Sequence, residues 1–395
     1  MTGRADKEAC EEAGASVGAH MRRLVVDART EGGGPVREAA AIGAGAFIGC
    51  TPFYGFHLVI CLAAGWMFGL NRLKLYLAAN ISNPFMAPWL LLGELQAGAW
   101  LRRGEWHALN LETARTVDPW MFGGDLLLGS LVIGVVLGSA MGLATWVSTR
   151  RTGDPLFEVL ARHAADRYVT TSITAWEFAR GKLRADPLYR AILRGGVLPS
   201  GDTLIEIGCG QGLMLALLVE AAEAYRIGEW PASTPPPPCF RTLVGVETRP
   251  RVASLARRAL GEEATILERD ARQHAPARCS AVLCLDVLHM MPLEDQERLL
   301  ARHADALEPG GVILVREADA SAGWRYVAVS AGNRLKALIH GNWKQTFHFR
   351  TAAEWSVLFE RLAFRVARVD TGGGTPFGNV LFVLTDRRRP PAHLD

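Results

Sequence analysis

The pattern of apolar and polar positions changes character partway along the chain. Residues 39–70 are almost all apolar or small, 75–101 form a second apolar stretch, and 126–147 a third without a single charge. Beyond residue 152 the apolar residues come instead in short runs separated by amphipathic segments, the rhythm of a globular α/β domain. Proline removes a hydrogen-bond donor and disfavours helix in the residue before it, so Cys50-Thr51-Pro52 predicts two helical pieces within 39–70. The second stretch is broken at Asn80, at Asn83-Pro84 and at Pro88, and carries Glu94 within its apolar length. Broken backbone and charge survive in a membrane only where protein or a cavity shelters them, so both stretches read as packed or re-entrant hairpins. Residues 126–147 would span about 33 Å as a helix, the thickness of a bilayer core.

The composition agrees. The 395 residues are 49% hydrophobic and 21% charged, and the mean hydropathy of +0.12 is high for a wholly soluble enzyme and points to part of the chain in lipid. The net charge of +3 does not advertise nucleic-acid binding. Seven cysteines without paired spacing indicate neither a disulfide framework nor a zinc site, so no metal is expected, and reduced thiols fit a cytoplasmic setting. Residues 1–36 read as a polar cytoplasmic tail, and Arg150-Arg151 place the C-terminal end of the third stretch in the cytoplasm by the positive-inside tendency, hence an inner-membrane location. Gly134, Gly138 and Gly142 have the spacing that lets a second helix approach closely, within this chain or from a second copy. The segments AIGAGAFIGCTPFYGFH, NRLK and ISNPFMAP resemble a bacterial membrane family known as domain of unknown function 2062, over residues 37–151. The family offers no activity to carry over, and conformational breaks account for the Thr51-Pro52-Phe53 and Ser82-Asn83-Pro84 elements better than a ligand site at His57 or Asn83 does.

Residues 152–200 are polar and helical, a linker and cap anchored by Trp176, Phe178, Leu183, Tyr189 and Ile192. The basic cluster Arg180, Lys182 and Arg184 either holds a ligand carboxylate or solvates a helix face near lipid headgroups. Residues 201–395 then open on TLIEIGCGQG, 203–212: an alternating apolar run, three glycines at every second position, and an apolar helix. Glycines let the backbone approach a ligand closely, and the helix that follows turns its free N–H groups toward it. Strands at 242–247, 264–267, 280–285 and 311–315 alternate with helices at 251–260 and 293–307, which predicts a doubly wound α/β sheet, and 365–369 with 379–384 read as an antiparallel hairpin at its edge.

Each parallel strand ends in or just before an acid. Glu206, Glu247, Asp270 and Asp286 therefore converge at the carboxyl ends of the strands, where ligands of such sheets bind. A nicotinamide dinucleotide would want G-x-G-x-x-G, but the residue three beyond Gly210 is Leu213. That favours S-adenosylmethionine, whose positive methionine end suits a carboxylate at Glu206. Glu247 lies further from the glycines than usual because a proline-rich loop, 228–239, is inserted before its strand.

The set LIEIGCGQG, GVE, RDA, LDVLHMMP and LEPGG resembles the successive motifs of class I S-adenosylmethionine-dependent methyltransferases over 152–384. The resemblance implies that Gly208, Gly210 and Gly212 pack against the cofactor, that Glu247 binds the ribose hydroxyls, that Asp270 and Ala271 contact the adenine, and that Asp286 lies under the methyl-donor end. The N/D-P-P-Y/F tetrapeptide of enzymes that methylate nucleic-acid amines is absent, so nucleic acid is not expected as substrate. His289, Glu317 and His348 are the candidate bases for the acceptor. Residues 323–350, rich in aromatic and basic side chains, form either a lid over an acidic or aromatic acceptor or a face resting on the membrane. The expected function is a membrane-anchored methyltransferase for a small-molecule, lipid-linked or aromatic, polyketide-like acceptor. The alternatives are a membrane transport or assembly protein that senses S-adenosylmethionine without catalysis, and a nicotinamide-dependent reductase.

Overall fold

The computed structural model describes residues 34–53, 55–106, 119–149, 154–339, 341, 344–369 and 378–387, together with Arg22 and Val26. The chain divides into two compact units, residues 1–153 and 154–395.

The first unit is helical: α1 Pro35–Gly49, α2 His57–Phe68, α3 Arg72–Ala79, α4 Ala87–Arg103 and α5 Pro119–Thr149. The break between α1 and α2 falls at the proline, as the sequence predicts, and Asn83 caps the entry to α4 by accepting the N–H groups of Phe85 and Met86 at 3.1 Å each. His57 Nε2 contacts the Thr51 carbonyl at 3.0 Å. These two residues thus hold backbone. Helix α5 packs on α1 through its glycines: a Cβ on Gly138 would lie 2.7 Å from the Gly43 carbonyl oxygen, one on Gly142 3.2 Å from that of Ala39, and one on Gly134 3.0 Å from the Phe47 ring. The small-residue ridge is used within the chain. Glu94 is fully buried on α4, and Asp125, also fully buried, is paired with Arg102 and Arg103 at 2.9 and 2.5 Å. Among the described residues one helix segment, Phe122–Thr149, is long and apolar enough to cross a membrane, and only 22% of its most apolar window is buried. Arg150 and Arg151, which carry the expected orientation, lie outside the described residues.

The second unit begins with three cap helices, α6 Pro155–Asp166, α7 Ile173–Ala185 and α8 Pro187–Arg194. Asp154 and Asp186 cap the first and third by accepting backbone N–H groups, and proline follows each cap where its missing N–H costs nothing. The sheet follows: β1 Gly201–Ile207, α9 Leu213–Arg226, β2 Phe240–Glu247, α10 Pro250–Leu260, β3 Thr265–Glu268, β4 Cys279–Leu285, α11 Leu293–Ala306, β5 Leu307–Ala318, α12 Trp324–Ile339, α13 Ala352–Arg361, β6 Phe364–Val369 and β7 Asn379–Asp386. The seven strands run in the order β3-β2-β1-β4-β5-β7-β6. The first five are parallel, and β7 enters antiparallel between β5 and β6. This is the doubly wound sheet with an antiparallel edge hairpin that the sequence predicts. Strand β4 reads as a nearly continuous apolar run, buried along almost its whole length, as expected of a central strand covered on both faces, and β1 is buried from Leu204 to Ile207. Chain order reverses between β1 and β4, which opens a crevice at their carboxyl ends.

Candidate active site

The glycine turn is where β1 hands over to α9. Gly208, Gly210 and Gly212 have φ of 67°, 58° and 77°, the left-handed region that other residues adopt only at a cost. The N–H groups of Gly208 and Cys209 donate to the Val246 carbonyl at 2.8 and 3.1 Å and fasten the turn to β2. A Cβ on Gly208 would lie 2.4 Å from Val287 Cγ2 and one on Gly212 2.8 Å from Leu260 Cδ1, so these two let neighbouring elements close in. A Cβ on Gly210 would meet nothing within 4 Å, so this glycine faces open space. From the cap, the buried Tyr168 hydroxyl donates to the Gln211 carbonyl at 2.6 Å. Sequence reasoning missed Tyr168, since nothing about one tyrosine among polar helices marks a partner in the turn.

The acids fall into distinct environments. Glu247 is buried and accepts the Gly210 N–H at 3.0 Å, the Arg249 N–H at 2.9 Å and the Arg249 guanidinium at 2.9 and 3.1 Å. Burial opposes its ionisation, but those donors outweigh it and hold the carboxyl below the usual range. Asp270 is held low chiefly by Arg272, whose guanidinium reaches 2.6 Å, and it caps the short 3-10 turn Ala271–Gln273. Glu206 is the opposite case: burial, then the neighbouring Glu247 charge, push its pKa up to about 8. It is therefore a neutral acid at pH 7, and its Oε2 is buried without a hydrogen-bond partner.

Past β4, Asp286 takes a positive φ of 56° and donates its N–H to the Arg316 carbonyl at 2.9 Å. Its carboxylate accepts from Arg316 Nη1 at 3.1 Å, and the same Nη1 donates to Asp186 at 2.6 Å. Arg316, buried on β5, thus joins the first residue beyond β4 to the cap of α8. His289 is buried, with Nδ1 at 2.7 Å from Glu317 Oε2. Glu317 Oε1 also accepts the N–H groups of Leu288 and His289, at 2.6 and 3.3 Å. With Nδ1–H donating to Glu317, Nε2 is the acceptor, and it lies 3.3 Å from the Asn333 amide on α12. The His289 ring stacks on Phe349, centroids 4.8 Å apart. His348 donates its backbone N–H to the His289 carbonyl at 2.7 Å, while its ring Nε2 contacts Thr346 at 3.2 Å. The buried Gln296 clamps the turn and this segment together, donating to the carbonyls of Leu288, Met291 and His348.

Two of the candidate bases, His289 and Glu317, thus form one hydrogen-bonded pair, and His348 supports it through backbone. Asp186, Arg316, Gln296 and Asn333 were not identified from sequence. Each acts through a partner far along the chain, 130 residues away for Asp186 and Arg316. Among the described residues no group of three or more His, Cys, Asp or Glu is placed to hold a metal.

Two features test the fit of an adenosyl ligand. Gly210 leaves a space that a side chain would fill, and Glu206 presents an unpartnered, buried carboxyl oxygen. Glu206 near the end of β1 and Gly210 in the turn after it both neighbour Glu247, the acid that ends β2, so the residues present fit S-adenosylmethionine.

Comparison with known proteins divides the chain the same way. Residues 20–153 match the model of a family described as an uncharacterized protein conserved in bacteria (DUF2062). Residues 175–369 match a model described as a methyltransferase domain. Both matches bear out the resemblances read from the motifs. A Carboxy-S-adenosyl-L-methionine synthase from Chromohalobacter salexigens is 34% identical over 123 residues, 30% of this chain. The chain spans only 40% of the length of that relative. Among solved structures, an O-methyltransferase family protein from Burkholderia thailandensis is 16% identical with a TM-score of 0.41, covering 99% of each chain. A magnesium protoporphyrin IX methyltransferase from Synechocystis PCC 6803 with bound SAH is also 16% identical, with a TM-score of 0.33, covering 58% of this chain and 84% of that one.

Proposed function

We propose that this chain, a DUF2062 region joined to a class I S-adenosylmethionine-dependent methyltransferase domain, methylates a small aromatic, polyketide-like or lipid-linked acceptor at a bilayer. The observation that carries the reading is the His289–Glu317 pair held beside the crevice that the glycine turn and Glu247 line. S-adenosylmethionine supplies an electrophilic methyl group on a sulfonium, so the protein has mainly to align the acceptor and take its proton. In this reading Gly210, Glu206 and Glu247 hold the adenosyl and methionine ends, and Asp270 with Ala271 borders the adenine. His289 Nε2 takes the acceptor proton at the place now held by the Asn333 amide. Glu317 fixes the tautomer and steadies the positive ring that results. Asp286, kept in a left-handed conformation and tied to Arg316, shapes the floor of the crevice.

The apolar segment Phe122–Thr149 supports the bilayer part of the proposal, since it has the length and composition to cross a membrane. A cytoplasmic catalytic unit at the inner membrane follows from Arg150-Arg151 in the sequence. Calorimetry tests the cofactor assignment. Saturable binding of S-adenosylhomocysteine, weakened by Glu247→Gln, is expected; tight binding of a nicotinamide dinucleotide in its place refutes it.

A further inference from the structure

Helix α12 carries two different faces. Tyr326 packs edge-on against Phe349, ring centroids 5.3 Å apart, and Asn333 reaches His289 Nε2, so one face covers the acceptor side of the site. Trp324, Val327, Ala331, Leu335 and Leu338 recur at spacings of three and four, which gathers them within about 80° of arc on the opposite side. All five are exposed, Trp324 at 65%, Val327 at 62%, Leu335 at 58% and Leu338 at 45%. A stripe of this kind on a globular unit marks a surface that another apolar phase covers.

The charge around the stripe says which phase. Between residues 321 and 350 the sequence has Arg325, Arg334, Lys336, Lys344 and Arg350 and no aspartate or glutamate, in a chain that is otherwise close to neutral. Arg325, Arg334 and Lys344 are exposed. An apolar stripe bordered by cations and headed by a tryptophan is the make-up of a helix that lies in the interface of an anionic bilayer, its stripe among the acyl chains and its cations among the phosphates.

We infer that α12 docks on anionic lipid and forms the membrane-side wall of the acceptor site, so that the acceptor passes from the bilayer past α12 to His289. The inference rests on the bilayer part of the proposed function. A soluble acceptor would give no reason for an uncovered apolar stripe on the helix that covers the base, and the same chain already carries a segment of membrane-spanning length.

Amide hydrogen exchange of the full chain tests it, in nanodiscs of phosphatidylcholine alone and in nanodiscs that also contain phosphatidylglycerol. The amides of 324–339 should exchange roughly tenfold more slowly in the anionic discs. The Arg325→Glu/Arg334→Glu pair should abolish the difference, and Trp324→Ala/Leu335→Ala should weaken it. All four positions are exposed, so both variants should bind S-adenosylhomocysteine as the parent does, and that titration reports on the methyltransferase reading independently. Equal exchange in the two discs overturns the inference. So does protection that grows with protein concentration and ignores lipid charge, which would assign the stripe to a second copy of the chain.

Discussion

Replacing Glu206 by glutamine should make the catalytic unit more stable at alkaline pH. The Glu206 carboxyl titrates near 8 in the folded protein, against 4.5 for an unperturbed glutamate, because burial and then the Glu247 charge disfavour its anion. Between those two values the folded state holds a proton that the unfolded state has lost. Stability contributed by this site therefore falls as pH rises through the interval and levels off above it. Each pH unit costs about 1.4 kcal/mol, which sums to about 4–5 kcal/mol by pH 9. That is a large part of the 5–15 kcal/mol that typically separates folded from unfolded states. Glutamine keeps a neutral side chain of nearly the same shape and removes the titration. Exchange of the β1 and β4 amides at pH 6 and pH 9, corrected for intrinsic chemistry, reads the local opening free energy. The parent should lose about 3 kcal/mol over that span, the part of the interval above pH 6, and Glu206→Gln should lose little. Parallel losses in the two proteins would refute the assignment of a neutral, buried Glu206.

Gly210→Ala should lower S-adenosylhomocysteine affinity more than tenfold by calorimetry, because its Cβ enters open space beside the turn. Stability should fall by only about 1–2 kcal/mol, the cost of a left-handed alanine. Arg316→Met should destabilise by roughly 2–3 kcal/mol at neutral pH, since it leaves the buried Asp186 with Lys182 alone, at 2.7 Å, and takes the guanidinium from the part-exposed Asp286. Burial opposes Asp186 ionisation, but Arg316 and Lys182 hold its carboxyl below 3.8. The parent's advantage in chemical denaturation should therefore shrink as pH falls through that range, and adding Asp186→Asn to Arg316→Met should restore part of it. Tyr168→Phe removes the donor to the Gln211 carbonyl and should cost about 1–2 kcal/mol, seen as a lower melting temperature that bound S-adenosylhomocysteine partly offsets. Glu317→Gln should lower methyl-transfer kcat and displace its pH profile, whereas a purely structural Glu317 would leave that profile in place.

The course of the sheet was legible because its cues are local. Alternating apolar runs, glycines between β1 and α9, and acids at the strand ends all lie within a few residues of what they specify. Where β5 begins was less so: the 311 expected becomes Leu307, because β5 carries extra residues between the pairs Cys279–Leu307 and Ala281–Val312, and so reaches back to pair with Cys279. The glycine turn could be read as a unit, but only the packing against Val287 and Leu260 separates Gly208 and Gly212 from the open Gly210. Long-range partners were invisible. Arg316 on a strand looks like a misplaced charge until Asp186 and Asp286 come into view, and His289 and Glu317 were separate candidates until β5 set them 2.7 Å apart. The amphipathic spacing of 324–338 was present all along, hidden by a segment that reads first as aromatic and basic.

Whether the site transfers a methyl group or only senses its donor is decided by product. The full chain, reconstituted in anionic vesicles, is incubated with methyl-labelled S-adenosylmethionine and a bacterial membrane extract, and the label is followed into organic-soluble material. The account predicts labelled acceptor that accumulates with time and is strongly reduced in His289→Gln. Binding of the donor with no label in any acceptor, under conditions where calorimetry shows the site saturated, would contradict it.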